Sequence, residues 1–153
     1  MTQAPPPPAP LTEMRLTDEI KQSVNNALAS GKPMIIAYVD PEGQPSLSFR
    51  GSTHVHSDNQ LAVWVRNPEG GLLKGLQGNP KVTLMYRDPE TRTTLQFRGT
   101  ARIDESEQMR DTVYNASPEP ERNADKEKKG KAMVIDLERV DGILPGARVQ
   151  MRR

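Results

Sequence analysis

With 153 residues the chain has room for one ordinary domain, and its 21 Lys and Arg against 20 Asp and Glu give a near-neutral balance that points away from a general nucleic-acid surface. The absence of cysteine excludes disulfide frameworks, thiolate zinc sites, cysteine nucleophiles and dithiol redox chemistry. No apolar run approaches the roughly 20 residues that a membrane-spanning helix needs, and the opening MTQAPPPPAP has neither the basic nor the apolar region of a secretory signal, so a cytoplasmic protein is expected.

Residues 1–11 read as a disordered Pro-rich tail, because Pro5–Pro8 fit neither a helix interior nor a central strand and favour solvated polyproline II; a ligand for a proline-recognising module is the other reading. The folded domain is expected over 12–153. A helix is expected from Leu16 to Ser30, with Thr17 as N-cap, Asp18 and Glu19 at its positive end, Ile20, Val24, Ala27 and Leu28 as its apolar stripe, and Gly31 and Pro33 ending it. From Met34 the period becomes 2. MIIAYV (Met34–Val39) reads as a strand, Asp40-Pro41-Glu42-Gly43 as a turn, Ser46–Arg50 as the return strand, and Gln60–Arg66 as another strand after a turn at Ser57-Asp58-Asn59.

Asn67-Pro68-Glu69 has the chemistry of an N-cap with proline at the first helical position, predicting a short helix over Glu69–Gln77 that Gly78-Asn79-Pro80 stops. Strands follow at Lys81–Arg87 and Thr93–Ile103, a helix at 105–116, and a strand from Ala132 through Ile143. The Pro-, Glu-, Asn- and Lys-rich stretch Ser117–Lys131 reads as a mobile surface loop, and the basic tail Gly146–Arg153 as edge or interface material. The expected fold is mainly β with short helices: six or seven short antiparallel strands closing into a Greek-key split barrel, because closure removes exposed edges.

The chain lacks a G-x-S-x-G elbow, a phosphate-binding G-x-x-x-x-G-K-[ST] loop and a G-x-G-x-x-G turn, and offers no nucleophile–base pair, so an enzyme of this make-up would take its reactivity from a cofactor. Anion chemistry is better represented. Arg50, Gly51, Ser52 and Thr53 end one strand; Val65, Arg66 and Asn67 end the next and open a helix. If the two strands pair, guanidinium, hydroxyl and amide donors converge as a phosphate pocket, to which Lys74 could add a charge. Arginines at strand ends are otherwise solvated surface residues. His54 and His56 form an H-x-H pair that would share a face on a strand, either as surface residues or as the start of a metal or haem site. Trp64 reads as core, or as a stacking contact for a planar ligand. Thr93, Thr94 and Gln96 are either exposed or positioned to hydrogen-bond a heterocycle across a dimer interface.

The order of these segments resembles the pyridoxamine 5′-phosphate oxidase-like flavin-binding split-barrel family. MIIAYVDPEGQPSLSFRGS is similar to its opening hairpin, LAVWVRNPEGGLLKGLQGNPKVTLMYRD to its strand, short helix, "N-P" and next strand, TLQFRGTARI to its long strand, and VIDLERVDGI to its closing strand. The resemblance implies a homodimer with two cofactor sites at the interface and FMN as cofactor. The phosphate would be held at Arg50, Gly51, Ser52 and Thr53 and at the strand–helix junction Val65, Arg66 and Asn67, with Trp64 among the cofactor-binding residues. The short helix would contribute Leu72, Leu73 and Lys74; Leu72 stands where the family usually carries its lysine. Thr94 and Gln96 would approach the ring system. The implied function is a flavin-dependent oxidoreductase with a small-molecule substrate; a deazaflavin-dependent reductase or a non-catalytic flavin or haem binder are the alternatives. The closing VQMRR lacks the Arg-x-His pattern with which the oxidase proper holds pyridoxal phosphate, so oxidation of pyridoxamine phosphate is not expected.

Overall fold

The computed structural model describes residues 11–153; the reading of Pro5–Pro8 lies outside the described residues. In chain order the elements are β1 (Thr12–Glu13), α1 (Asp18–Asn25), β2 (Ile35–Val39), β3 (Pro45–Phe49), β4 (His54–Ser57), β5 (Gln60–Val65), α2 (Gly71–Gly78), β6 (Lys81–Asp88), β7 (Thr93–Asp104), α3 (Glu107–Ala116), α4 (Glu119–Asn123), β8 (Lys131–Leu144) and β9 (Ala147–Arg152).

The strands form one sheet in the order β1-β9-β8-β7-β6-β2-β3, with β5 branching from β8 and carrying β4. The long β8 makes the branch possible. Its first half pairs with β5, its second half with β9, and β7 runs beside both halves. The result is a split barrel of nine strands rather than six or seven. The extra strands are β1, β4 and β9, too short or too polar to stand out by alternation; β1 joins β9 in parallel, so the sheet is mixed.

Thr17 caps α1 as expected, its hydroxyl accepting from the Ile20 amide. The helix ends at Asn25, five residues early, and turns carry the chain to Gly31 at φ 72°. The hairpin turn after β2 is built by Asp40, whose carboxylate accepts from the Glu42 and Gln44 amides, and by Gly43 at φ 83°. α2 starts later than the sequence suggested. The Asn67 side chain caps a local turn by accepting from the Glu69 amide, which leaves Gly70 as the helix N-cap.

The main core lies inside the barrel, lined by Ile36, Leu61, Val63, Leu84, Leu95, Phe97, Ile135, Leu137 and Val140 and closed by Ile20 and Val24 of α1 and Leu72 and Leu73 of α2. A second core of Ala62, Trp64, Val113, Tyr114 and Ala132 lies on the other face of β5 and β8, beneath α3. β5 is therefore buried on both faces, the physical reason its sequence, LAVWV, is continuously apolar instead of alternating.

The expectation of a mobile loop at Ser117–Lys131 is corrected. The stretch contains α4 and is pinned by Asp125, whose carboxylate accepts from the Trp64 indole at 2.8 Å, from the Gly130 amide at 2.9 Å and from the Lys129 amide at 3.0 Å. Burial works against this carboxylate's charge. The bonds from Trp64, Lys129 and Gly130, with Arg110 nearby, outweigh burial and hold its pKa below the ordinary value. Low hydrophobicity hid the order because polar contacts, not apolar burial, hold the segment. Asp125→Ala strands the buried indole N–H and should lower stability by about 2–4 kcal/mol. In urea denaturation its midpoint should fall well below that of wild type, while Asp125→Asn, which keeps an acceptor, should lose less than half as much.

Candidate functional site

The expected pairing of the strands that end at Arg50 and Arg66 is corrected: β3 pairs with β2 and β5 with β4 and β8, because β4 forms its own hairpin with β5. The buried Ser52 hydroxyl donates to the Trp64 carbonyl and accepts from the Trp64 amide, both at 3.0 Å, extending that hairpin by one pair beyond His54 and Ala62. Arg50, whose amide donates to the Met34 carbonyl, precedes the hairpin, and Arg66 is the first residue after β5. Between them is a cleft of about 350 Å³ lined by Arg50, Gly51, Ser52, Trp64, Arg66 and Glu121 on its polar side and by Leu28, Pro33 and Phe49 on its apolar side. A second cleft, about 660 Å³, shares Pro33 and Phe49 as walls; Ile35, Met85 and Pro89 line it together with the cations Lys32 and Arg87.

The first cleft is electropositive. Burial lowers the Arg50 pKa; Tyr38 opposes the shift, Arg66 adds to it and Glu121 opposes it, yet a guanidinium stays charged throughout. Arg66 pairs with Glu121, Nε to Oε2 at 3.4 Å. The Arg50 Nε and the Ser48 Oγ are both buried and have no hydrogen-bond partner among the described residues. Ser48 lies on the inward face of β3, opposite the buried Ile36, and Arg50 lines the cleft just beyond the end of that strand.

A family model described as pyridoxamine 5′-phosphate oxidase matches residues 16–143. The chain belongs to the pyridoxamine 5′-phosphate oxidase family. No curated protein matches its sequence. Similar solved structures include HupZ of Group A Streptococcus, at 22% identity, TM-score 0.66, covering 88% of this chain and 98% of that one. A pyridoxamine 5′-phosphate oxidase-related, FMN-binding protein of Nostoc punctiforme is similar at 16% identity, TM-score 0.66, covering 90% of this chain and 89% of that one. A protein of Clostridium acetobutylicum related to general stress protein 26 of B. subtilis matches at 12% identity, TM-score 0.65, covering 90% and 96%. At these identities the likeness shows the fold alone.

Within this oxidase-family barrel the expected site residues separate into two groups. Arg50, Gly51, Ser52, Trp64 and Arg66 meet at one cleft. Several others do not act as expected. The Ser52 hydroxyl is spent on the Trp64 backbone, and the Thr53 hydroxyl donates to the Arg50 carbonyl at 2.7 Å, so neither is free for a phosphate. Val65, Leu72 and Leu73 are core side chains, and Lys74 is exposed on α2, outside the cleft lining. Trp64 is a core residue, 2% exposed, packed edge-on against Tyr114 with Arg110 over its ring, which leaves no face for stacking a ligand. Thr94 accepts from Arg87 and Gln96 from Arg98 on the outer face of the sheet, away from this cleft. The residues missed were Ser48, a polar position inside a strand read only for its period, and Glu121, in the stretch taken for a loop.

The H-x-H pair does not present two open rings. The pairing of β4 with β5 shifts register between Val55 and Ser57, and His54 is buried. Its Nδ1–H donates to the Ser52 carbonyl at 2.7 Å, and its Nε2 is enclosed without a partner among the described residues, not turned to a cleft as a haem or metal ligand must be. Burial lowers the His54 pKa, the bond to Ser52 opposes this, and His56 adds to it. The folded ring thus binds a proton less readily than the unfolded one, whose ordinary value is 6.5, so stability is expected to fall as pH drops below 6.5 toward the folded value. Asp125 and Glu138, held below the ordinary range, lose their contribution only at lower pH. In denaturation profiles His54→Gln should flatten the decline between about pH 6.5 and 5 and leave the decline below about pH 4 unchanged.

Proposed function

We propose that this chain binds FMN and works as a flavin-dependent oxidoreductase of the pyridoxamine 5′-phosphate oxidase family, dimeric and cytoplasmic, with a small-molecule substrate. The observation that carries the reading is the half-buried Arg50, its Nε enclosed and without a partner among the described residues, in a cleft that shares a wall with an apolar slot. Few polar anchors beside an apolar slot are what a phosphate-bearing planar heterocycle needs. The FMN-binding relative from Nostoc supports the same choice of cofactor. A bound flavin supplies hydride or electron transfer, so no side chain has to act as nucleophile. Arg50 and Arg66 would hold the phosphate, Arg50 as the half-buried, oriented donor and Arg66 as the exposed one; Ile35, Phe49 and Met85 would exclude water from the ring.

The outer face of the sheet supports the dimer. Leu47 is 72% exposed, Phe49 67%, Ile143 47% and Met85 40%. Register places Phe49 opposite Ile35, Ile35 opposite Met85 and Met85 opposite Gln96, with Leu47, Ala37, Thr83 and Arg98 in the next row, so the apolar side chains form one surface across β3, β2 and β6 that polar groups of β7 border. Large exposed apolar patches mark interaction surfaces. A second copy docked there would bring Thr94 and Gln96 toward its partner's apolar slot, the role the family resemblance assigns them.

Two experiments test the reading. The protein reconstituted with FMN should show a flavin absorption band after gel filtration, and Arg50→Ala should weaken FMN binding about 10- to 100-fold, the loss of one charge-assisted hydrogen-bonding group; unchanged affinity in that variant refutes the phosphate assignment. Sedimentation should show a wild-type dimer, and Leu47→Lys, outside both clefts, should shift it to monomer.

A further inference from the structure

One contact in the phosphate cleft is not explained by a binding role. The Glu121 carboxylate lies against Gly51 so closely that a Cβ at residue 51 would overlap its Oε1. Its Oε2 meets Arg66 Nε at 3.4 Å, and its charge acts on Arg50 as well. The side chain is only 17% exposed. An anion therefore already sits between the two guanidiniums that would take a phosphate, and Gly51 is the residue that makes room for it.

The backbone carrying that anion is fixed on both sides. The Tyr114 hydroxyl donates to the Arg122 carbonyl at 3.0 Å, the Arg122 guanidinium donates to the carbonyls of Asn115 and Ser117, and Asp125 is tied to Trp64, Lys129 and Gly130. Glu121 can leave the cleft only by rotating its own side chain. We propose that Glu121 is a built-in competitor for the anion subsite of Arg50 and Arg66: a phosphate group enters by displacing its carboxylate, and its charge sets how strongly the cleft holds phosphates. The inference rests on this cleft being the phosphate subsite of the reading above, and it adds that the chain's own carboxylate tunes the affinity.

Arithmetic of charge supports the assignment. Two guanidiniums and one carboxylate leave the cleft a single net positive charge, too little to hold a dianion with Glu121 in place and enough for a strong site once it swings out. A carboxylate facing an incoming phosphate is a like-charge juxtaposition, which costs binding energy in proportion to how far both are desolvated.

The test uses the full chain titrated with inorganic phosphate and, separately, with FMN, followed by calorimetry and by the fluorescence of Trp64, the chain's single tryptophan and part of the cleft wall. Glu121→Gln removes the charge with little change of shape and should tighten phosphate binding about tenfold. Gly51→Ala expels the carboxylate by sterics instead of chemistry and should tighten phosphate binding in the same direction. Affinity in Glu121→Gln equal to or weaker than wild type overturns the proposal, as does failure of any variant to bind phosphate; should Glu121→Gln fail to fold, Gly51→Ala decides by the same criterion. If phosphate binding tightens but no variant takes up FMN, the competitor stands and the flavin reading falls.

Discussion

The site depends on one hydroxyl. The β4–β5 hairpin brings the chain leaving β3 back beside the end of β5, and Ser52 extends that hairpin by bonding both backbone groups of Trp64. Arg50, just before the hairpin, and Arg66, just after it, line one cleft for this reason. The same bond removes Ser52 from the list of ligand donors: a group that holds the scaffold with both of its hydrogen-bonding functions has nothing left for a phosphate.

The segment between α3 and β8 supplies the other half of the site. Its composition promises no core, yet Asp125 anchors it to the indole of Trp64 and to two amides, and that anchor sets the position of α4. α4 in turn sets Glu121 against Gly51 and Arg66. Trp64 joins the two systems, since its backbone bonds Ser52 at the end of the β4–β5 hairpin and its indole fixes the segment that carries the carboxylate. The cleft's charge is thereby coupled to the second core under α3 through a short chain of hydrogen bonds.

Membership of the pyridoxamine 5′-phosphate oxidase family sets the fold, and the proposed anion cleft is lined by Arg50 and Arg66. Leu72 fills the core where the resemblance places a lysine, and Lys74 points elsewhere on an exposed helix face. The cleft's positive charge comes instead from Arg50, half-buried, and Arg66, exposed, on the two sides of the β4–β5 hairpin. A cleft built this way relies on two guanidiniums and little else, which makes any neighbouring carboxylate decisive for its strength.

Local chemistry made much of this legible in the sequence. Thr17 as a cap, Asp40 with Gly43 as a turn, the alternating runs of β6 and β7 and the placing of Arg50 and Arg66 at strand ends all follow from residue types a few positions apart. What depended on distant partners did not. β3 has the apolar pattern of a strand, but Leu47 and Phe49 point outward and Ser46 and Ser48 inward, because pairing with β2, not hydrophobicity, decides which face is inside. The order of Ser117–Lys131 came from polar bonds to a tryptophan about 60 residues away, whereas the Ser52 and Thr53 hydroxyls are taken by nearer backbone partners, Trp64 across the β4–β5 hairpin and Arg50 three residues back. Residue types close together in the chain marked the longer strands, the caps and the two cleft arginines; folding decided the short strands, the place of Glu121 and which groups remained free to bind, since a donor's availability depends on every neighbour that folding gives it.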